Sequence, residues 1–112
     1  MNIERIELRH IKMKLVSPFV TSMGTENDVE HIIVRIDSEG IAGWGECVAQ
    51  ANPYYSYETV QTAWYVLQDF LIPSILGKNF SSVDDALKSY SNVRGHRMAK
   101  AGLEAALWDV SA

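Results

Sequence analysis

The order of hydropathy patterns along the chain predicts an α+β domain: a three-stranded antiparallel meander followed by a helical bundle. Three observations carry this. Apolar residues up to Cys47 alternate with a period of two, as strand side chains do. Beyond Ser56 they recur at helical spacing. Clusters of Gly, Asn, Asp and Pro mark the boundaries between these stretches. Strands gathered first and helices after them define the α+β class.

The first strand is expected over residues 3–16. Ile6 and Leu8 share one phase, and Ile11, Met13 and Leu15 share the other, which predicts a bulge or sharp twist near Arg9-His10. Pro18 has no N–H to give and should end the pairing. Residues 17–28 then read as a polar loop around Phe19, Val20 and Met23, whose side chains either fold back onto the core or face a partner. A second strand is expected near 29–37, with Ile32, Val34 and Ile36 on one face. Asp37-Ser38-Glu39-Gly40 is a hairpin connection in which Gly40 is free to take a positive φ. The third strand follows near 41–48.

Asn52-Pro53 breaks the chain, and Ser56 is placed to cap a helix running from Tyr57 to about Leu71, with Glu58 in its first turn. Val60, Trp64, Leu67 and Leu71 form its buried stripe. Pro73, Gly77 and Asn79 close it, and Ser82 caps a second helix expected over 82–92, with Asp85 as its capping-box partner. Gly95 separates that helix from a last one, His96–Ala112, which is rich in alanine and apolar on most sides. A helix of that kind needs cover all round. Residues 1–95 are therefore expected to form one domain, and 96–112 a helix leading toward a further domain of a longer protein.

Composition bounds the function. With 47% apolar and 21% charged residues the chain has the balance of a folded domain, not a disordered one. A net charge of −4 and scattered basic residues argue against a nucleic-acid or anionic-membrane surface. No long apolar run suggests a signal peptide or a membrane span, so the expected compartment is the cytoplasm. Cys47 is the single cysteine, which excludes an intrachain disulfide and thiolate metal clusters.

Hard catalytic signatures are absent: there is neither a phosphate loop nor an HExxH pair. His10, His31 and His96 fall in different elements and read as pairing or surface residues. Gly43-Trp44-Gly45-Glu46 is the densest local signal. Its glycines allow close backbone approach, and Glu46 is either a paired carboxylate at a strand end or a group that orients a lid near a ligand. The loop Gln50–Ser56 carries two tyrosines and amide side chains, suited either to recognition or to capping the core. Gly95-His96-Arg97 puts cationic groups at a helix start, where an anion binds well, or where Arg97 is anchored to a carboxylate.

Three segments in order, Ser17–Gly24, Gly43–Cys47 and Gly95–Lys100, resemble the amino-terminal capping domain of the enolase superfamily, in its muconate-lactonising branch. The resemblance covers essentially the whole chain. It is nearest to o-succinylbenzoate synthases that also racemise N-acylamino acids, N-succinylamino acids above all. It implies that 1–95 is the capping domain, that 96–112 leads to an absent modified (β/α) barrel, and that two capping loops close over a small carboxylate substrate. By match of motif those loops are 17–26, with Phe19, Ser22 and Met23 facing substrate, and 47–56, with Ala49, Gln50 and Tyr55. Their implied role is shape, desolvation and closure. Val20 stands where relatives often carry a basic residue, and Met23 where phenylalanine is common.

The catalytic lysines and the acidic ligands of Mg²⁺ belong, by the same resemblance, to the barrel, so no catalytic or metal-binding residue is assigned within this chain and the piece alone is expected to be inactive. The implied chemistry begins with proton abstraction next to a carboxylate, with metal and lysine stabilising the enediolate. Dehydration of a cyclohexadiene carboxylate then gives o-succinylbenzoate, a step toward menaquinone; reprotonation from the opposite face gives racemisation. A homo-oligomeric parent is expected. Two alternatives stay open: another superfamily enzyme, such as a muconate cycloisomerase or dipeptide epimerase, and a non-enzymatic interaction domain whose apolar last helix binds a separate protein.

Overall fold

The computed structural model describes residues 1–21, 24–49 and 57–112; for 13–21 and 24–29 the description is limited to the backbone. Strands β1 (Arg5–Thr21), β2 (Gly24–Ser38) and β3 (Ile41–Cys47) form one antiparallel sheet in the order β1-β2-β3. Helices follow: α1 (Val60–Val66), a π-helical turn over Leu67–Leu71, α2 (Ile72–Ile75), α3 (Val83–Lys88) and α4 (Arg97–Ser111). The α+β reading and the meander hold.

Register follows from what each face buries. Ile6, Leu8 and His10 lie opposite Ile36, Val34 and Ile32, and Ile32 lies opposite Cys47. Ile32, Val34 and Ile36 are fully buried on that inner face. The other face is polar. Arg35 bonds Asp37 there and stacks over Trp44 at 5.3 Å from the ring centroid, and Arg9 pairs with Glu7. The β2–β3 connection is a two-residue turn. Glu39 (φ 51°) and Gly40 (φ 80°) both adopt positive φ, the geometry whose twist matches a right-handed hairpin.

Three sequence expectations about the hairpin change. No bulge occurs at Arg9-His10: pairing runs unbroken from Arg5 to Lys14, and the register shifts between Lys14 and Phe19, around Pro18. The side chain of His10, on the inner face, is partly exposed. Nor does Pro18 end β1. Pairing resumes at Phe19↔Glu26, Val20↔Thr25 and Thr21↔Gly24, so much of the expected loop 17–28 is ladder.

The helices also start elsewhere. Thr59, not Ser56, caps α1: its hydroxyl accepts the Thr62 N–H at 3.2 Å, while the Thr59 N–H donates to Thr62 Oγ1 at 2.9 Å. Ser56 lies outside the described residues. Tyr57 and Glu58 therefore precede the helix. The π turn sits just before Pro73, whose ring would otherwise meet the carbonyl one turn back. The Ile72 N–H reaches to Leu67 O, one residue further than an α-helix allows. Ser82 caps α3 as expected, accepting the Asp85 N–H at 3.2 Å, but the Asp85 carboxylate bonds Ser81 and the helix stops at Lys88.

Packing centres on α4. Ala99, Gly102, Leu103, Ala106, Leu107 and Val110 form one buried stripe at helical spacing. The stripe lies on β3, where Gly43, Gly45 and Cys47 point inward. A Cβ on Gly43 would come within 2.6 Å of the Ala106 carbonyl oxygen, and one on Gly45 within 2.7 Å of the Ala106 nitrogen. Gly102 answers from the helix: its Cβ would sit 3.0 Å from Cys47 Cβ. The Gly-Trp-Gly segment is thus a seat for α4, with two glycines removing side chains so that backbone meets backbone. The opposite side of α4 is not buried: Ala101, Ala105 and Trp108 are exposed, Trp108 to 49%.

Candidate functional site

One end of the sheet gathers the segments singled out from the sequence. β3 pairs with β2 only from Ser38 back to Ile32, so β1 and β2 run on past its end. There β3 releases the chain at Cys47, and Ala49 is buried to 1%. The second turn of α4 lies beside this exit, through the Cys47–Gly102 contact. The β1–β2 ladder beyond Ile32 and the end of β3 at Cys47–Ala49 therefore lie at the same end of the fold.

The sequence-derived positions fall as follows. Phe19 is in the β1–β2 ladder opposite Glu26. Ala49 lies in the core at the β3 exit. Ser22, Met23, Gln50 and Tyr55 lie outside the described residues.

Two of the three histidines pair with carboxylates. His10 Nε2 is 2.9 Å from Glu30 on the inner face, and His31 Nδ1 bonds Glu46 on the outer face. Glu46 is thus a paired strand-end carboxylate. Beside His10 a cleft of about 360 Å³ is lined by Val60, Gln61 and Trp64, whose indole N–H donates to Gln68 at 2.7 Å. Its described lining mixes apolar, imidazole and amide surface. Among the described residues no group of three His, Cys, Asp or Glu side chains is placed to hold a metal ion.

The anion expected at the start of α4 is the chain's own. Glu58 is 3% exposed and its carboxylate accepts the Met98 N–H at 2.9 Å and the Ala99 N–H at 3.2 Å. His96, the residue before the helix, is left-handed (φ 53°) and gives no side-chain cap, so Glu58 supplies it from about forty residues away, where the helix dipole favours negative charge. Tyr57 adds to the joint: its hydroxyl accepts the His96 N–H at 2.7 Å, and the two rings meet edge to face. A side chain at Gly95 would run into that hydroxyl. Arg97 is exposed and has no carboxylate partner among the described residues. Sequence reasoning missed Glu58 by counting it into the first turn of α1. Burial pushes the Cys47 thiol up from its ordinary pKa, helped by the negative charge of Glu58 nearby.

The fold is an antiparallel meander whose last strand is seated on α4, with the carboxylate-paired His10 and His31 toward its open end. The chain belongs to the mandelate racemase / muconate lactonizing enzyme N-terminal domain family, matched over residues 4–112, and so to the enolase superfamily. It is 46% identical over 112 residues to an o-succinylbenzoate synthase of Geobacillus stearothermophilus, covering 99% of this chain and 30% of that protein. An N-succinylamino acid racemase of an Amycolatopsis species is 39% identical over 109 residues, covering 97% and 30%. Among solved structures, an enolase-superfamily member of unknown function from Enterococcus faecalis V583 superimposes with a TM-score of 0.89 at 37% identity, over 100% of this chain and 31% of that one. The chain thus spans about 30% of the length of these relatives. The capping-domain fold expected from the sequence is the fold observed.

Proposed function

We propose that this chain is the capping and substrate-specificity portion of an o-succinylbenzoate synthase that also racemises N-succinylamino acids. The structural observation that supports the reading is the shared end of the sheet: the β1–β2 ladder runs on past Ile32 where β3 ends at Cys47, beside the second turn of α4. The chemistry is supported by identity to a synthase and to a racemase across nearly the whole chain. In this reading Phe19, Ser22, Met23, Ala49, Gln50 and Tyr55 shape the substrate cavity and exclude water. Proton transfer and Mg²⁺ belong to a barrel in the rest of the parent, which is a soluble cytoplasmic homo-oligomer. Trp44 on β3, Val48 just past it and Trp108 on α4 are large apolar side chains left exposed in this chain.

The test is to express the whole reading frame and assay it with Mg²⁺ for both reactions, beside residues 1–112 alone. The parent should turn over the cyclohexadiene carboxylate and racemise N-succinylamino acids; the isolated chain should do neither. Phe19→Ala in the parent should lower kcat/KM roughly tenfold, about 1.4 kcal/mol of transition-state stabilisation, with little change in Tm. Intact kinetics with a large fall in Tm would place Phe19 in the structural core and end the substrate-facing assignment.

A further inference from the structure

At the row of residues where β3 ends, the sheet narrows from three strands to two. β2 pairs with β3 only as far as Ile32↔Cys47, while its ladder with β1 runs on to Thr21↔Gly24. Beyond that row lies a two-stranded arm, 11–21 and 24–31, and a two-stranded ribbon is marginally stable unless something holds it. Two histidine–carboxylate pairs sit at its root. His10 of β1 meets Glu30 of β2 at 2.9 Å on the inner face, and His31 of β2 meets Glu46 of β3 on the outer face. Glu30 and His31 are consecutive, so their side chains leave opposite faces of the strand. The first pair ties β1 to β2 and the second ties β2 to β3. Together they stitch all three strands, on both faces, along the line where β3 stops. Neither pair is sealed from protons in the solvent: side-chain exposure is 44% for His10 and 16% for Glu30, and 22% for His31 and 44% for Glu46.

We propose that these two pairs form a proton-responsive clasp, which holds the β1–β2 arm to the three-stranded sheet and grips harder as pH falls through the histidine range. A neutral imidazole donates one N–H to its carboxylate. A protonated one makes the same contact as an ion pair, and charge-assisted hydrogen bonds are about twice as strong as neutral ones. Histidine ordinarily gains its proton between about pH 8 and 5, before glutamate loses its charge. Both pairs therefore strengthen together on acidification and weaken together as pH rises. Among the described residues, Lys12 lies opposite Glu30 in the ladder, and its permanent charge blunts the response of the inner pair. The α1 residues beside His10, namely Val60, Gln61 and Trp64, are uncharged. On the outer face Ile11 lies opposite His31, and Arg9, one step along that face, is engaged by Glu7. The outer pair thus carries the larger share. The gain is confined to the root of the arm, so it acts on local opening and not on the whole fold. The clasp is independent of the proposed reaction.

The experiment follows amide hydrogen exchange in the full-length parent at pH 5.5 and 7.5, corrected for intrinsic rates, with the amides of 33–38 and 41–47 as internal reference. The arm amides, 11–21 and 24–31, should open less readily at pH 5.5, by about fivefold relative to the reference, the scale set by exposed ion pairs. His10→Gln combined with His31→Gln keeps an N–H donor at both positions and should abolish that response while the reference stays unmoved. Glu46→Gln alone leaves the inner pair in place and should remove more than half of the response; it also decides the matter if the double variant does not fold. An arm whose protection is insensitive to pH relative to the reference would overturn the clasp. So would a response that survives either variant in full, or one shared equally by arm and reference.

Discussion

Gly45→Ala isolates the contact on which the fold turns. Gly45 does not have a positive φ, so its backbone accepts alanine, and outside packing the change would gain about 0.4–1 kcal/mol by restricting the unfolded chain. The new methyl would meet the Ala106 nitrogen at 2.7 Å and Ala105 Cβ at 3.2 Å, and lie closer still to the Gly102 carbonyl. Two of these three are backbone atoms of a helix, which cannot rotate aside. Overpacking of this kind costs typically 1–3 kcal/mol, and the rigid neighbours favour the upper end, giving a net loss of about 2 kcal/mol. At about 2.1 cal/mol/K per residue for unfolding entropy, that lowers Tm by about 8 °C in a chain of this length. Gly40→Ala is the control. No atom lies within 4 Å of the added methyl, but φ is +80°, so only backbone strain of about 1 kcal/mol applies. Thermal and urea unfolding of both variants, with unchanged m-values, provide the measurement. A Gly45→Ala loss below about 0.5 kcal/mol, or one smaller than that of Gly40→Ala, would refute the close-packed seat.

Thr59→Ala removes the hydroxyl that accepts the Thr62 N–H in the α1 capping box and should cost about 1 kcal/mol in urea unfolding. Tyr90 is buried, its hydroxyl has no hydrogen-bond partner among the described residues, and burial, with the charge of Glu104, pushes its pKa upward. The folded state therefore holds the phenol proton more tightly than the unfolded chain. This contribution is complete below the unfolded pKa near 10 and is lost as pH rises from there toward the folded value. Tyr90→Phe should be neutral to slightly stabilising at pH 7 and should flatten the loss of stability above about pH 10, read by denaturation at a series of pH values.

Where a residue's partners are close in sequence, its role was readable. Ile32, Val34 and Ile36 declared β2 by alternation, Glu39-Gly40 declared a turn, and Gly43 and Gly45 declared a close approach, although not what approaches. Distant partners hid the rest. Glu58 looks like a first-turn acid until Met98 and Ala99 are brought to it. Ser56 and Thr59 are both good caps on paper, and a threonine in place of Glu or Gln at the third helical position concealed the box that decides between them. Phe19 read as loop because Pro18 ought to end a strand. The ladder absorbs Pro18 instead by shifting register between Lys14 and Phe19.

The glycine seat also sets an order of events during synthesis. β3 is complete at Cys47, but Leu103, Ala106, Leu107 and Val110, which cover its inner face, emerge about sixty residues later, some 3–13 s at roughly 5–20 residues per second. Through that interval the nascent sheet presents a bare groove at Gly43 and Gly45, and the stretch holding Glu58 has no helix to cap. The domain's topology is therefore sealed from its far end, and a ribosome pausing between α3 and α4 would hold an open hairpin sheet exposed to whatever chaperone or neighbouring chain reaches it first.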